Sequence, residues 1–441
     1  MSSTVSRATS LRASGATTVR WREAPLVLAC AIVAYSALAL GYIDRTPIWQ
    51  NPDEPAHYNY IEQVADTGTL PVLQQGDWNT ALLDRLKNGR LQPTDSVASI
   101  RYEGWQPPLY YVLAAPLFRL SEREPVEQQV NTLRLFGAAL GALTLIAGYF
   151  VAREVLAPSL AAAVPVAMVG VPMFSAVSSS ISADALGNLL AAVLVLVLLR
   201  TLALQRVDAR RASALGALVA LGVLAKLALA IFVPIGLAVV MYRATRKLRC
   251  ALAFVGVGAA VGTPWMIHQV TSYGLTDPLA TARHAIVTDQ PRFPGLTPEY
   301  VSSFVTISFH SFWAQFGWMG IVAPDRLYWA WGALCVLAVL GLLLHLRSPR
   351  WQPRWLLLGA TIIGAWLAYL GYNVTFQQPQ GRYLFTALAP LAVFLVVGWA
   401  AWVPPRLRGP VSLALSFALV ALNAYALLRV LGPGFLGVTS S

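Results

Sequence analysis

The sequence predicts an all-α polytopic membrane protein, and three observations carry that prediction. Of its 441 residues 57% are hydrophobic and 12% charged, with a mean hydropathy of +0.59; soluble domains run nearer a quarter charged. Apolar runs of roughly 15 to 22 residues, long enough to approach or cross a hydrocarbon core of about 30 Å, recur along the chain. Basic residues gather in alternate connections between those runs, as a membrane orientation requires.

The runs lie near 24–43, 132–152, 159–178, 184–203, 212–225, 228–242, 250–269, 328–346, 355–372, 383–402 and 410–430, which gives about eleven transmembrane helices. The first is read as a signal-anchor behind a cytoplasmic tail, 1–23. The alternative is a signal peptide cleaved near "SALAL", 36–40, but the run is long for a signal core and its loss would free the next loop from the membrane. The runs 212–225 and 228–242 are short and separated only by "AKLA" around Lys226, the pattern of a hairpin that need not fully cross. Two connections are large, 44–131 and 271–327, and a C-terminal group of helices occupies 328–441. Cys30, Cys250 and Cys335 all sit in apolar stretches without C-x-x-C spacing, so neither a disulfide framework nor a zinc site is indicated.

With the N-terminus inside, the cytoplasmic segments hold 18 of the 32 basic residues, among them Arg200, Arg206, Arg210, Arg211 and Arg243 to Arg249, and only Glu23, Glu154 and Asp208 of the 20 acids. The net charge of +12 therefore reports topology in a multi-pass plasma (inner) membrane protein, and no nucleic-acid partner is implied. Both large loops fall on the extracytoplasmic face, where chemistry or binding is expected, because loops carry function on a scaffold of spans.

The densest polar cluster is "NPDEPAHYNYIEQVADTGTLPV", 51–72. It predicts a short helix with Asn51 as N-cap, Pro52 first, Glu54 at the capping-box position and Gly68 as the stop. Tyr58, Ile61, Val64 and Ala65 form an apolar side suited to a membrane surface. Acids at a helix N-terminus also complement its dipole, so Asp53 and Glu54 have a structural reading beside a functional one. Later in the loop, Pro107 and Pro108 of "YEGWQPPLYYVLAAPLFRL", 102–120, precede an apolar helix too short to span, a second interfacial helix. Trp105, Tyr110 and Tyr111 suit an aromatic belt at headgroup level.

These stretches follow one another in an order that resembles a family. "PDEPAH", "QPPLYY", "LRLFGAALGALTLIAGYFVAREVL", "SADALGNLL" and "LGVLAKLALAIFVPIGL", then more loosely "FWAQFGW" and "QPQGRYLF", are similar to GT-C membrane glycosyltransferases. The relatives meant are protein O-mannosyltransferases and lipid A aminoarabinose transferases, with a closely similar group of bacterial membrane proteins bearing "PDEPAH" and a late "QGRY". The resemblance covers most of 24–270, and implies a GT-C-like catalytic module there. It implies a polyprenyl-phosphate-linked sugar donor, a lipid, glycan or protein acceptor, and a first-loop acid as catalytic base. Carried over, Asp53 matches the loop aspartate and Glu54 its neighbour; Gln106 stands before the proline pair where the family usually has His or Lys.

The residues suit that chemistry. Transfer needs a base for the acceptor hydroxyl, assigned to Asp53 with Glu54 beside it, and cations for the departing phosphate. Lys226 and Arg382 are the candidates, with His57, Gln106 and Tyr383 as further substrate-binding residues. Lys226 is also readable as a snorkelling lysine, His57 as a surface residue, and Asp184 as an N-cap-region acid after Ser182. No metal ligand is assigned: one histidine and an acid pair fall short of a ligand set, which leaves a divalent metal open. No nucleotide-binding G-x-x-x-x-G-K-[ST] loop and no HExxH occur. Two other readings stay open: a transporter or flippase of lipid-linked sugar, and a non-catalytic membrane protein that binds lipid or polymer.

Overall fold

The computed structural model describes residues 24–89, 95–345 and 352–439, so the tail 1–23 lies outside the described residues, as do Arg347 and Arg350. The chain is helical apart from one two-residue antiparallel pair, Gln315–Phe316 with Ile321–Val322.

The expected runs are helical, 159–178 in separate pieces, but the count of eleven spans is corrected. Among the described residues eight helices are long and apolar enough to cross a membrane: Ala24–Arg45, Val126–Val155, Ala183–Ala203, Lys247–Tyr273, Asp325–Leu344, Pro353–Asn373, Gly381–Ala400 and Pro405–Phe435. A ninth is reached if Pro158–Val169 and Pro172–Ser178 count as one span, bent by 67°. Pro172 causes that break, because it lacks an N–H and disfavours helical backbone in the residue before it.

The runs around Lys226 fail on length. Ala209–Ala225 has 17 residues, and Leu227–Ile231 and Phe232–Arg243 follow without a gap. The two arms form a hairpin, since the Val207 N–H donates to the Arg243 carbonyl at 3.1 Å and closes its open end. Lys226, in extended backbone (φ −159°), is the tip.

The bundle has two unlike ends. At one, Glu154 accepts from Arg200 at 3.0 Å, its carbonyl accepts from Arg354 at 2.7 Å, and Arg243 donates to the Leu202 carbonyl. At the other lie the Lys226 tip, the start of the Ala183–Ala203 helix and the long loop after the first span. Leu26, Val33 and Leu40, seven residues apart, are 55–69% exposed along the first helix, an apolar stripe for lipid to cover.

The long loop is drawn into the protein instead of lying flat on a surface. The helix Glu54–Thr67 starts three residues after Asn51, with Asp53 at its N-cap in left-handed backbone (φ 66°) and no side-chain cap. Gly68 stops it as expected, its N–H bonding the Val64 carbonyl. Its apolar side packs on the short helix Leu109–Ser121: the Tyr60 and Tyr111 rings stack at 3.5 Å and Tyr58 meets Phe118 edge-on at 5.5 Å. Tyr110 and Tyr111 are fully buried and Trp105 nearly so, which corrects the aromatic-belt reading.

Candidate active site

Glu54 explains why the loop is drawn in. Its carboxylate is fully buried and receives both arms of the Arg134 fork, Nε to Oε1 at 2.8 Å and Nη2 to Oε2 at 2.7 Å. The Trp49 and Ile181 N–H groups and the Asn51 amide also donate to it. Arg134 in turn donates to the Thr46 and Pro47 carbonyls. The cluster ties the loop to the Val126–Val155 span and to the turn before Ala183–Ala203, and so fixes where the next side chain outward must sit.

That side chain is Asp53. Its Oδ2 lies 2.5 Å from Arg382 Nη2, and Tyr102 donates to Oδ1 at 2.8 Å. Burial by itself raises this carboxyl's pKa; the Arg382 and His57 charges, with the hydrogen bonds from Arg382 and Tyr102, outweigh it and hold the group below the usual aspartate range. Arg382 is buried, and its Nε donates to Gln380 at 2.6 Å. The residue before it allows this placement. A Cβ on Gly381 would stand 2.2 Å from the Ser308 carbonyl, so the chain can press against the Pro298–Trp313 helix only as glycine, with the Gly381 N–H donating to Ser311 at 2.7 Å.

Lys226 arrives from the hairpin tip and pairs with Asp184, whose helix is capped by Ser182 as anticipated. The Tyr383 ring lies near both cations, 5.3 Å from Lys226 Nζ and 5.5 Å from the Arg382 guanidinium. His57 Nδ1 meets the Tyr111 hydroxyl at 2.9 Å, and burial lowers its pKa to about 4, against partial opposition from Asp53 and Asp184. It is neutral at pH 7. The backbone of the "QPP" segment is anchored by Gln269 to the Trp105 carbonyl at 3.0 Å and by Tyr60 to the Gln106 carbonyl at 3.1 Å.

Asp53, His57, Gln106, Lys226, Arg382 and Tyr383 thus line one small chamber of about 60 Å³ together with Glu103 and Asp184. Glu54 is not among its lining residues. The chamber adjoins a larger cavity of about 360 Å³ that shares Asp53, Glu103, Gln106, Lys226 and Tyr383 and adds Trp105, His284, Gln290, Tyr369 and Tyr372. An almost wholly apolar groove of about 400 Å³ runs between the hairpin and the Lys247–Tyr273 helix, with Leu224, two residues from Lys226, in its wall.

Glu103 is the residue that sequence reasoning passed over. Burial, with the Asp53 charge next, raises its pKa to about 8, only partly countered by Gln106 and Arg382. Two carboxyls of one site are therefore driven apart, Asp53 ionised and Glu103 protonated at pH 7, a separation that marks acid and base roles in catalytic sites. Its signal was an acid three residues ahead of Gln106, overlooked beside the aromatic residues around it. Among the described residues no three His, Cys, Asp or Glu side chains converge closely enough to hold a metal ion.

Solved structures share the fold. ArnT from Cupriavidus metallidurans, solved bound to undecaprenyl phosphate, superposes with a TM-score of 0.54 at 17% identity over 94% of this chain and 71% of that one. The Archaeoglobus fulgidus oligosaccharyltransferase AglB, solved with an inhibitory peptide and a dolichol-phosphate, gives 0.53 at 14% over 95% of this chain and 56% of its own; the same enzyme with zinc and sulfate gives 0.53 at 14% over 92% and 53%. The chain thus spans little more than half of the oligosaccharyltransferase. At these identities the likeness establishes the GT-C fold alone. No curated protein matches by sequence. One family model does, over residues 96–395, from the Glu103 segment through Lys226 and Arg382 to the tenth apolar run, and the chain accordingly belongs to the family described as "Predicted membrane protein (DUF2142)".

Proposed function

We propose that this protein transfers a sugar from a polyprenyl phosphate to a hydroxyl-bearing acceptor on the extracytoplasmic face. The observation that carries the reading is the convergence of an ionised aspartate and two cations at the wall of a cavity beside an apolar groove. The GT-C fold supports it, as does the undecaprenyl phosphate or dolichol-phosphate held by proteins of that fold. The arginine-rich end of the bundle supports the orientation.

In this reading the acceptor oxygen attacks C1 of the sugar while its proton passes to the Asp53 carboxylate. The bond from C1 to the phosphate oxygen breaks, its electron pair leaves with that oxygen, and polyprenyl phosphate departs. Arg382 and Lys226 stabilise the charge that develops there. In the resting site each cation is already held by an acid, Asp53 or Asp184. A donor phosphate at Arg382 competes for the guanidinium, weakens its hold on Asp53 and raises the basicity of that carboxylate. Donor binding and base activation are thereby linked. Glu54 keeps the Asp53 backbone in place and touches no substrate. The isoprenoid occupies the groove beside the hairpin.

The cations supply the test. Lys226→Met alone leaves Asp184 buried without its partner, so the informative variant is Lys226→Met with Asp184→Asn, which preserves charge balance. Its affinity for undecaprenyl phosphate in lipid nanodiscs is expected to fall about tenfold or more, the loss of one charge-assisted phosphate contact. Unchanged affinity in this double variant and in Arg382→Met would remove the phosphate from this site.

A further inference from the structure

Three residues that line the larger cavity each carry a polar atom with no hydrogen-bond partner within the protein: Glu103 Oε2, Trp105 Nε1 and Gln290 Oε1. Each is shielded almost completely from solvent, and Glu103 and Trp105 are both 91% buried as whole residues. Buried polar groups are ordinarily satisfied, and leaving one unpaired is costly, so three on one wall indicate a wall completed by something else. Their chemistry is mixed: an N–H donor, an amide acceptor and a carboxyl able to act either way.

The surroundings narrow the class. Trp105 packs against His284 with ring centroids 4.9 Å apart, and Tyr369 and Tyr372 line the same cavity, giving aromatic surface beside the unpaired atoms. The charged groups on this cavity, Lys226 and Asp53, are each engaged by an opposite charge, Asp184 and Arg382, and His284 is kept neutral by burial, its pKa lowered to about 4. The wall presents hydrogen-bonding groups without a free charge, next to apolar ring faces.

We propose that Glu103, Trp105 and Gln290 form a subsite for an uncharged sugar ring, its hydroxyls bonded to the three unpaired atoms and its C–H face against the aromatic side chains. This deepens the donor reading and rests on it. A site built to bond hydroxyls discriminates strongly against ligands lacking them, because its own polar groups are then left unpaired.

The test compares undecaprenyl phosphate with the same lipid carrying a neutral hexose or a cationic amino sugar, by binding to the purified protein in nanodiscs. The neutral hexose is expected to tighten binding over the bare lipid. Glu103→Ala and Trp105→Phe should each remove about three- to tenfold of that gain, the range of one hydrogen bond, and Trp105→Phe should do so without changing affinity for the bare lipid. Glu103→Gln, a neutral isostere with both donor and acceptor, should retain most of it, which separates recognition from misfolding. Should the gain appear instead for a methyl hexoside added to protein loaded with bare lipid, and fall in the same variants, the uncharged ring stands and belongs to the acceptor. Equal binding of bare and hexose-bearing lipid with no methyl hexoside binding, a gain unaffected by both variants, or a larger gain for the amino sugar would overturn the subsite while leaving the phosphate site intact. Binding of none of the lipids would overturn the donor reading and the subsite with it.

Discussion

Asp53→Asn is expected to lower sugar transfer by about a hundred- to ten-thousand-fold, the range for losing a general base, while the protein remains folded. The substitution is well matched to the site. Asp53 sits in left-handed backbone (φ 66°), which asparagine tolerates better than other non-glycine residues, so the helix after it keeps its start. The Asn Oδ1 can still accept one of the bonds now made by Tyr102 and Arg382. What disappears is the negative charge and the ability to take a proton. Asp53→Ala is a poorer probe, because it adds backbone strain and frees two buried donors. If Asp53→Asn turned over at near-normal rate, the carboxylate would be only an anchor for Arg382.

The largest stability effect is expected at Arg134. Arg134→Met leaves the Glu54 carboxylate buried without its counter-charge, a change that costs roughly 3–5 kcal/mol in comparable buried pairs. Thermal unfolding in detergent should show a markedly lower midpoint, or no folded protein recovered. The double variant Glu54→Leu with Arg134→Met should regain only part of the loss. It abolishes the lone charge but leaves the Trp49 and Ile181 N–H groups and the Thr46 and Pro47 carbonyls without their partners. Wild-type stability in Arg134→Met would refute the anchoring role given to the pair.

Much of the architecture was legible because apolar length and charge asymmetry act locally along the chain. The eleven apolar runs are helical, 159–178 in separate pieces, and the Lys226 hairpin showed in the shortness of its arms. The span count was overstated because the two short hairpin arms were each counted as a crossing and because hydropathy does not register the bend at Pro172. The site was partly legible: Lys226 drew notice as a charge between apolar half-helices, and Arg382 followed Gly381 at the start of a span. Arg134 offered the same signal, a charge within an apolar run, and its buried acid partner was the adjacent Glu54. Sequence cannot show which of two neighbouring acids faces the cavity. Asp53 and Glu54 differ because one occupies left-handed backbone and the other the first turn of a helix directed inward. Glu103 was illegible for a related reason, since its perturbed carboxyl depends on burial near Asp53, 50 positions away in the chain.

The central claim is transfer at the extracytoplasmic face, and the most direct measurement follows labelled sugar on undecaprenyl phosphate placed in the outer leaflet of vesicles. The protein is inserted with its arginine-rich end inward, and a panel of lipid, glycan and protein acceptors is supplied outside. Label is expected to move to an acceptor, Asp53→Asn to block this, and no sugar-lipid to reach the inner leaflet. Movement of intact sugar-lipid across the bilayer, with no label on any acceptor, would contradict it and identify a flippase.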